Sequence, residues 1–139
     1  MENSKPFFSI VMPIYNVERH LHQAIDSLLQ QTLQDYEIIL VDDCSPDKCP
    51  EICDEYAKKY DCIRVVHHEE NQGLSYARNT GMGMATGKYI WFMDSDDYVD
   101  TDLLEKVYFS LQQNMADMVV IGLIEEYYDH NDELHHIQI

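Results

Sequence analysis

Positive charge is what this sequence is short of. Nine Lys and Arg face 26 Asp and Glu, a net charge of −17 over 139 residues with His counted neutral. A surface of that sign repels phosphate backbones and anionic headgroups, so nucleic acid and anionic lipid are poor partners for this segment. An anionic ligand can bind only where a cation or aligned backbone N–H groups reverse the field locally. Long apolar runs are missing as well. No segment approaches the ~20 residues a membrane-crossing helix needs. The opening stretch, MENSKPFFSIVMPIYN, lacks the basic region and long apolar run of a secretory signal. The expected compartment is the cytoplasm, with the inner face of a membrane reached through missing segments or partners, and with free thiols.

Several chemical signatures are absent too. The cysteines at 44, 49, 53 and 62 are not arranged as the C-x2-C pairs of a structural zinc site, and Cys53 and Cys62 are expected to pack as small apolar residues. There is no G-x-x-x-x-G-K-[ST] loop and no G-x-S-x-G elbow, which excludes P-loop chemistry and the serine-hydrolase nucleophile turn. Gly81, Gly83 and Gly87 lie within and after a helical pattern rather than between a strand and a helix start, so the dinucleotide fingerprint fails.

What is present is strand and helix in alternation, enough for one domain over 1–139 and with no repeat or low-complexity linker. The run FFSIVMPI (7–14) predicts a first strand. Leu21, Ile25, Leu28 and Leu29 then fall on one face of a helix over 18–31, with Asn16 able to cap it. YEIILV (36–41) predicts a second strand, followed by a helix for which Ser45 is the expected cap and Pro46 the first residue. CIRVV (62–66) reads as a third, more exposed strand. A helix from Leu74 onward is expected to end at Gly87 as its left-handed terminator. KYIWFM (88–93) is a fourth strand with the look of a buried one, 101–114 a further helix and 117–124 a fifth apolar strand, before a tail that alternates weakly. Strands apolar on both sides must be covered on both faces. The expected architecture is therefore an α/β fold with a doubly wound, mostly parallel sheet and helices on both faces, whose ligands sit outside the carboxyl ends of the strands.

That architecture gives meaning to an otherwise costly feature. DSDD follows the fourth strand directly, and two close carboxylates without a counter-ion raise one another's pKa. Asp94 and Asp96, alternate along an extended chain, face one way while Ser95 turns aside. With Asp97 they form a hard-oxygen set suited to Mg²⁺ or Mn²⁺. Asp100 reads as a cap for the next helix, outside the site. Asp42 and Asp43, at the end of the second strand, either accept from a base or ribose or stabilise the following helix N-terminus. Arg78 is a rare cation on the helix between these loops, suited either to phosphate or to an ion pair with a neighbouring aspartate. Gly73 suits a left-handed turn or a close ligand approach. His68, Glu69 and the histidines of 130–136 read as solvated surface.

FSIVMPIYN through DDCSPD, and then ENQGLSYARNTGMGMATGKYIWFMDSDD, resemble the family 2 glycosyltransferases with the GT-A fold, continuously from about residue 7 to 124. The resemblance implies transfer of a sugar from a nucleotide diphosphate donor, most readily a UDP-sugar, to a hydroxyl of a glycan or lipid-linked acceptor, with inversion at the anomeric carbon. It places Pro13, Tyr15 and Asn16 in the first nucleotide-contacting loop. It matches Asp43, with Asp42 beside it, to the acid that pairs with uracil. Arg78 and Asn79 match the ARN element near the diphosphate. Asp94, Ser95 and Asp96 match donor contacts, and Asp94, Asp96 and Asp97 the D-x-D region that holds Mn²⁺ or Mg²⁺.

Two departures accompany the resemblance. Cys44 stands where the family usually has the glycine of DDGS, which costs strain of order 1–3 kcal/mol if φ is positive there. The acceptor wall and the general base that inverting displacement needs are implied to lie beyond residue 139. Apolar surface uncovered by a missing half would favour self-association. A module that binds nucleotide and metal without turnover is therefore an alternative. A Mg²⁺-binding signalling receiver fits less well, since the fifth run ends GLIEEYY instead of with a lysine.

Overall fold

The computed structural model describes residues 4–122, 124–128, 130–131 and 133–138. Two compact units form, Met1–Glu105 and Lys106–Ile139. The first holds four parallel strands in the order β3-β2-β1-β4. These are β1 (Phe8–Ile14), β2 (Tyr36–Asp42), β3 (Ile63–His67) and β4 (Tyr89–Phe92), alternating with α1 (Glu18–Leu29), α2 (Cys49–Lys59) and α3 (Leu74–Met84). A fourth helix, α4 (Leu103–Gln113), crosses the boundary between the units, and the second unit ends in an antiparallel pair of β5 (Ile124–Tyr128) and β6 (Leu134–Gln138).

β1 and β2 explain why their runs are apolar without alternation. Every β1 residue is buried, and so is every β2 residue except the half-buried Glu37. On one face Val11, Ile39 and Val41 pack with Ala77 of α3. On the other, Asp42 reaches His67, which in turn contacts Asp54 of α2. The two faces are thus covered by different helices, as expected of a doubly wound sheet. Buried Gln31 ties the end of α1 to the start of α4: its Nε2 donates to Asp100 O at 2.6 Å, and its Oε1 accepts the Leu104 N–H at 3.0 Å.

α3 approaches the sheet closely, and Gly81 is the reason it can. A Cβ at this position would overlap Val11 Cγ1 and lie 3.2 Å from Val41 Cγ2. Gly81→Ala is therefore expected to destabilise the chain by about 1–2 kcal/mol through overpacking, even though alanine gains about 1 kcal/mol in helix propensity. Urea unfolding checks this; an unchanged or higher midpoint would mean that β1 yields at little cost.

Several expectations need correction. Asn16 does not cap α1: Val17 holds the N-cap position without a side-chain bond, Asn16 has φ 56°, and Asp47 Oδ2 accepts the Glu18 N–H at 3.0 Å. Ser45 and Pro46 do not open α2, which begins at Cys49, because Asp47 Oδ1 accepts the Cys49 N–H and Glu18 accepts that of Lys48. One aspartate thus serves the starts of two helices. α3 ends at Met84 with Ala85 extended, and Gly87 is needed for closeness instead: a Cβ there would come 2.6 Å from Ser9 Oγ. The Gly87 N–H donates to Ser9 Oγ, which donates to Glu37, and Glu37 also takes Thr86 and Arg64.

β4 is less covered than its composition suggested, with Ile90 and Phe92 about 40% exposed. Of the fifth apolar run, residue 123 lies outside the described residues, and 117–122 form no strand. Met118 and Val120 there are 79% and 88% exposed, so apolar content had no sheet partner to act on.

Cys49 and Cys53 are buried, Cys62 is half-buried and Cys44 exposed, all as free thiols. Burial, helped by the Asp47 hydrogen bond, pushes the Cys49 thiol up to about 12, which fits a packing role. No helix among the described residues is long and apolar enough to cross a membrane.

Candidate functional site

Parallel strands bring their carboxyl ends to one edge, and the loops after β1, β2, β3 and β4 all leave from it. The strand order turns back at β1, with β2 on one side and β4 on the other, so the crevice between β1 and β4 is the switch point. Pairing of β1 with β4 runs from Phe8↔Tyr89 to Val11↔Phe92, and a last bond joins Met93 N–H to Val11 O at 3.0 Å. Pro13 is the next β1 residue directed toward that side. Its missing N–H falls where β4 has already departed, so a proline in a central strand breaks no ladder bond there. Beyond it Tyr15 and Asn16 are exposed on the rim, and Asn16 N–H meets Ser45 Oγ at 3.3 Å.

The two acids after β2 part company. Asp42, 1% exposed, turns to the α2 face, where Oδ1 accepts the Ser45 N–H at 3.0 Å and Oδ2 meets His67 Nδ1 at 2.8 Å. Asp43, 3% exposed, turns to α3. Its Oδ1 accepts from His68 Nδ1 at 2.8 Å and from the Gln72 N–H at 2.9 Å, and its Oδ2 accepts the Gly73 N–H at 2.9 Å. Burial alone would raise the Asp43 carboxyl. The hydrogen bonds from His68, Gln72 and Gly73, with the charge of His68, outweigh it and hold the group below its ordinary value. Gly73 adopts φ 97° at the start of α3, the left-handed geometry its sequence position suggested.

Five residues along α3, Arg78 Nη2 donates to Asp94 Oδ1 at 3.3 Å. Its Nε is buried and has no hydrogen-bond partner among the described residues. Asn79 is exposed beside it. Asp94, Asp96 and Asp97 are exposed in a turn closed by Asp97 N–H to Asp94 O at 3.2 Å, whereas Ser95 is buried. Each aspartate offers one oxygen, and these oxygens lie within 4.8 Å of one another. Burial first, then the charges of Asp96 and Asp94, raise the Asp97 carboxyl above its ordinary value. A hard-oxygen cluster under mutual repulsion is what a divalent cation relieves, so these residues fit the metal the sequence suggested. α3 links the two acidic loops: Asp43 bonds to its start, and Arg78 further along it reaches Asp94.

Cys44 has φ 62°, in the left-handed region, and its Sγ reaches Glu69 O at 3.6 Å. Replacing it by glycine should raise stability by about 1 kcal/mol, the relief of left-handed strain less the extra unfolded-chain entropy of glycine. A melting curve should move up by about 3 °C; a fall would show that the thiol contact outweighs the strain.

His68 is the group that sequence reasoning missed. Its sequence context reads as solvated surface, yet its side chain is 8% exposed and both ring nitrogens are engaged, with Asp43 and with Thr80 Oγ1 at 2.9 Å. The available signal was its place just past the end of β3, on the same rim as the acids.

Comparison with known proteins follows the same outline. The family description "Glycosyl transferase family 2" matches residues 9–139. The glycosyltransferase EpsJ of Bacillus subtilis (strain 168) is 48% identical over 121 residues, covering 87% of this chain and 35% of EpsJ. Glycosyltransferase GlyG of Streptococcus pneumoniae is 42% identical over 124 residues, covering 89% of this chain and 40% of GlyG. Among solved structures, S. aureus TarS in complex with UDP-GlcNAc gives a TM-score of 0.75 at 31% identity, over 79% of this chain and 32% of that one. The chain spans well under half the length of these relatives.

Proposed function

The chain belongs to glycosyl transferase family 2, and we propose that it is the donor-binding part of an inverting enzyme that transfers a sugar from a UDP-sugar to an acceptor hydroxyl with the help of Mn²⁺ or Mg²⁺. The observation that carries this reading is the rim itself: three clustered carboxylates beside an arginine whose buried Nε lacks a partner among the described residues. A diphosphate is the ligand that answers both, since its oxygens accept from a guanidinium and complete the shell of a hard cation. The UDP-GlcNAc complex of TarS supports the choice of nucleotide.

Each residue then has a task. Asp43 accepts an N–H from the base edge. Pro13, Tyr15 and Asn16 border the nucleoside on the β1 side, and Asp42 holds the β2 loop in place. Arg78 turns its free donor toward the diphosphate, with Asn79 alongside. Asp94, Asp96 and Asp97 would hold the metal, and Ser95 packs beneath them to fix their turn. When bound, the cation supplies Lewis-acid stabilisation of the charge on a leaving diphosphate. The acceptor is a glycan or lipid-linked hydroxyl, and the base that takes its proton is assigned to the part of the relatives' length that this chain does not span. Apolar surface on β4 would favour self-association of this portion alone.

Titration calorimetry of the chain with UDP, in Mn²⁺ and again in EDTA, tests the reading, followed by an assay of donor hydrolysis and transfer. Metal-dependent UDP binding is expected, and binding without turnover would identify this portion as a donor-holding module. No UDP binding, or binding indifferent to EDTA, would overturn the proposal.

A further inference from the structure

His68 stands in the groove between β3 and α3, and nothing in the donor reading assigns it a task. We infer that His68 is the positioning residue for Asp43, aiming the one acceptor position that carboxylate has left at the nucleobase. This rests on the proposed function, because it presumes that Asp43 reads a base. An ionised carboxylate offers roughly four lone-pair sites and can only accept. Three of them are taken by His68 Nδ1, the Gln72 N–H and the Gly73 N–H. The fourth suits a single ring N–H, which uracil presents between its two carbonyls.

The two backbone donors are both in the turn before α3 and bring Asp43 to that turn. They reach different oxygens, Gln72 on Oδ1 and Gly73 on Oδ2, and so hold the carboxylate plane from one side only. The His68 contact comes from a different element, just past the end of β3, and fills the second site of Oδ1, which leaves the open acceptor position on Oδ2. The imidazole is itself locked. Facing an acceptor, Nδ1 must carry a hydrogen, and Nε2 is tied to Thr80 Oγ1 in the second turn of α3. The Tyr76 ring stands edge-on to the imidazole, with centroids 5.3 Å apart. With 8% of the His68 side chain exposed, water competes little for either nitrogen. Base recognition therefore depends on a side chain that does not touch the base.

The test uses two ligands that differ by the nucleoside, UDP and inorganic pyrophosphate, each titrated with Mg²⁺. His68→Leu removes the donor to Asp43 and should weaken UDP binding about tenfold, with pyrophosphate affinity unchanged. His68→Asn places an amide donor where Nδ1 stands and should restore UDP affinity to within about threefold of wild type, since the hydrogen bond is regained. Thr80→Val, which cuts the far tether together with the Thr80 bond to Tyr76 O and keeps the side-chain shape, should lie between them and serves if the leucine variant folds poorly. Equal loss of both ligands, no loss of UDP binding, or failure of the asparagine variant to recover would overturn the assignment while leaving the donor reading intact. A wild-type chain that binds pyrophosphate but not UDP, or neither, would end the donor reading and this role with it.

Discussion

Asp96→Ala is expected to weaken Mn²⁺-dependent UDP binding by about 100-fold, since outer-shell changes alone cost about 10–100-fold in metal affinity. It should do so without loss of stability. Asp96 is exposed and helps raise its neighbour Asp97 by repulsion, so removing it relieves a like-charge contact in the unliganded chain. Surface substitutions of this kind shift stability by about 0.5 kcal/mol at most, and the sign here should be favourable. A residue whose loss costs ligand affinity and gains stability is retained for binding, since folding alone would discard it. Calorimetry with UDP and Mn²⁺, beside a thermal melt without ligand, separates the two effects. If UDP affinity is unchanged, the acidic turn is only solvated surface and the donor site lies elsewhere. Residual UDP binding should also lose its sensitivity to EDTA, because what remains then comes from nucleoside and Arg78 contacts that need no cation.

The physics of local pattern explains which parts of this molecule could be read from sequence. β1 and β2 were legible because burial on both faces forces an unbroken apolar run, and α1 because Leu21, Ile25 and Leu28 keep a helical period. The start of α2 was not. The usual cap signal, Ser45 before Pro46, was overridden by Asp47, which bonds to Glu18 from 29 residues away. The end of α3 was misjudged for a related reason: Gly87 has no side chain because Ser9 of β1 leaves no room for one, and not because a helix terminates there. Both errors come from treating tertiary contacts as local ones. The fifth run shows the limit of composition, since apolar residues make a strand only where a neighbouring backbone accepts their hydrogen bonds.

The same distinction holds at the rim. DSDD was legible because four close residues at a strand end carry their own electrostatic oddity. The positive φ at position 44 was legible as a conflict between cysteine and a glycine position, and φ 62° is what the backbone adopts. Asp42 and Asp43 could not be told apart in sequence. Alternation along β2 sends one to each face of the sheet, and what each meets there depends on helices elsewhere in the chain. His68 was invisible for the same reason: its partners Asp43 and Thr80 lie 25 and 12 residues away.

Asp43→Ala should then be the most destabilising change at the rim, costing about 2 kcal/mol. It strands the His68 Nδ1 donor inside the fold and frees the Gln72 and Gly73 N–H groups that start α3. Those two backbone groups lie near solvent and recover part of the loss through water, which keeps the figure below the sum of three buried bonds. With a urea dependence of about 1–3 kcal/mol per molar, the midpoint should fall by about 1 M. The pH dependence gives an independent check with a definite sign. The folded-state carboxyl is held below its ordinary 3.8, so the folded state binds fewer protons than the unfolded one in that range. Its contribution is complete above the unfolded value and is lost as pH falls through the folded one. The gap between wild type and Asp43→Ala should therefore be constant from pH 7 down to about 4.5 and narrow only below that, near the ordinary carboxylate range. A gap that narrows on the alkaline side instead would show that the Asp43 carboxyl is not the group responsible. A gap that never opens would mean that α3 is held against the sheet by Ala77 and Gly81 packing alone, and that Asp43 is free to serve the ligand at no structural cost.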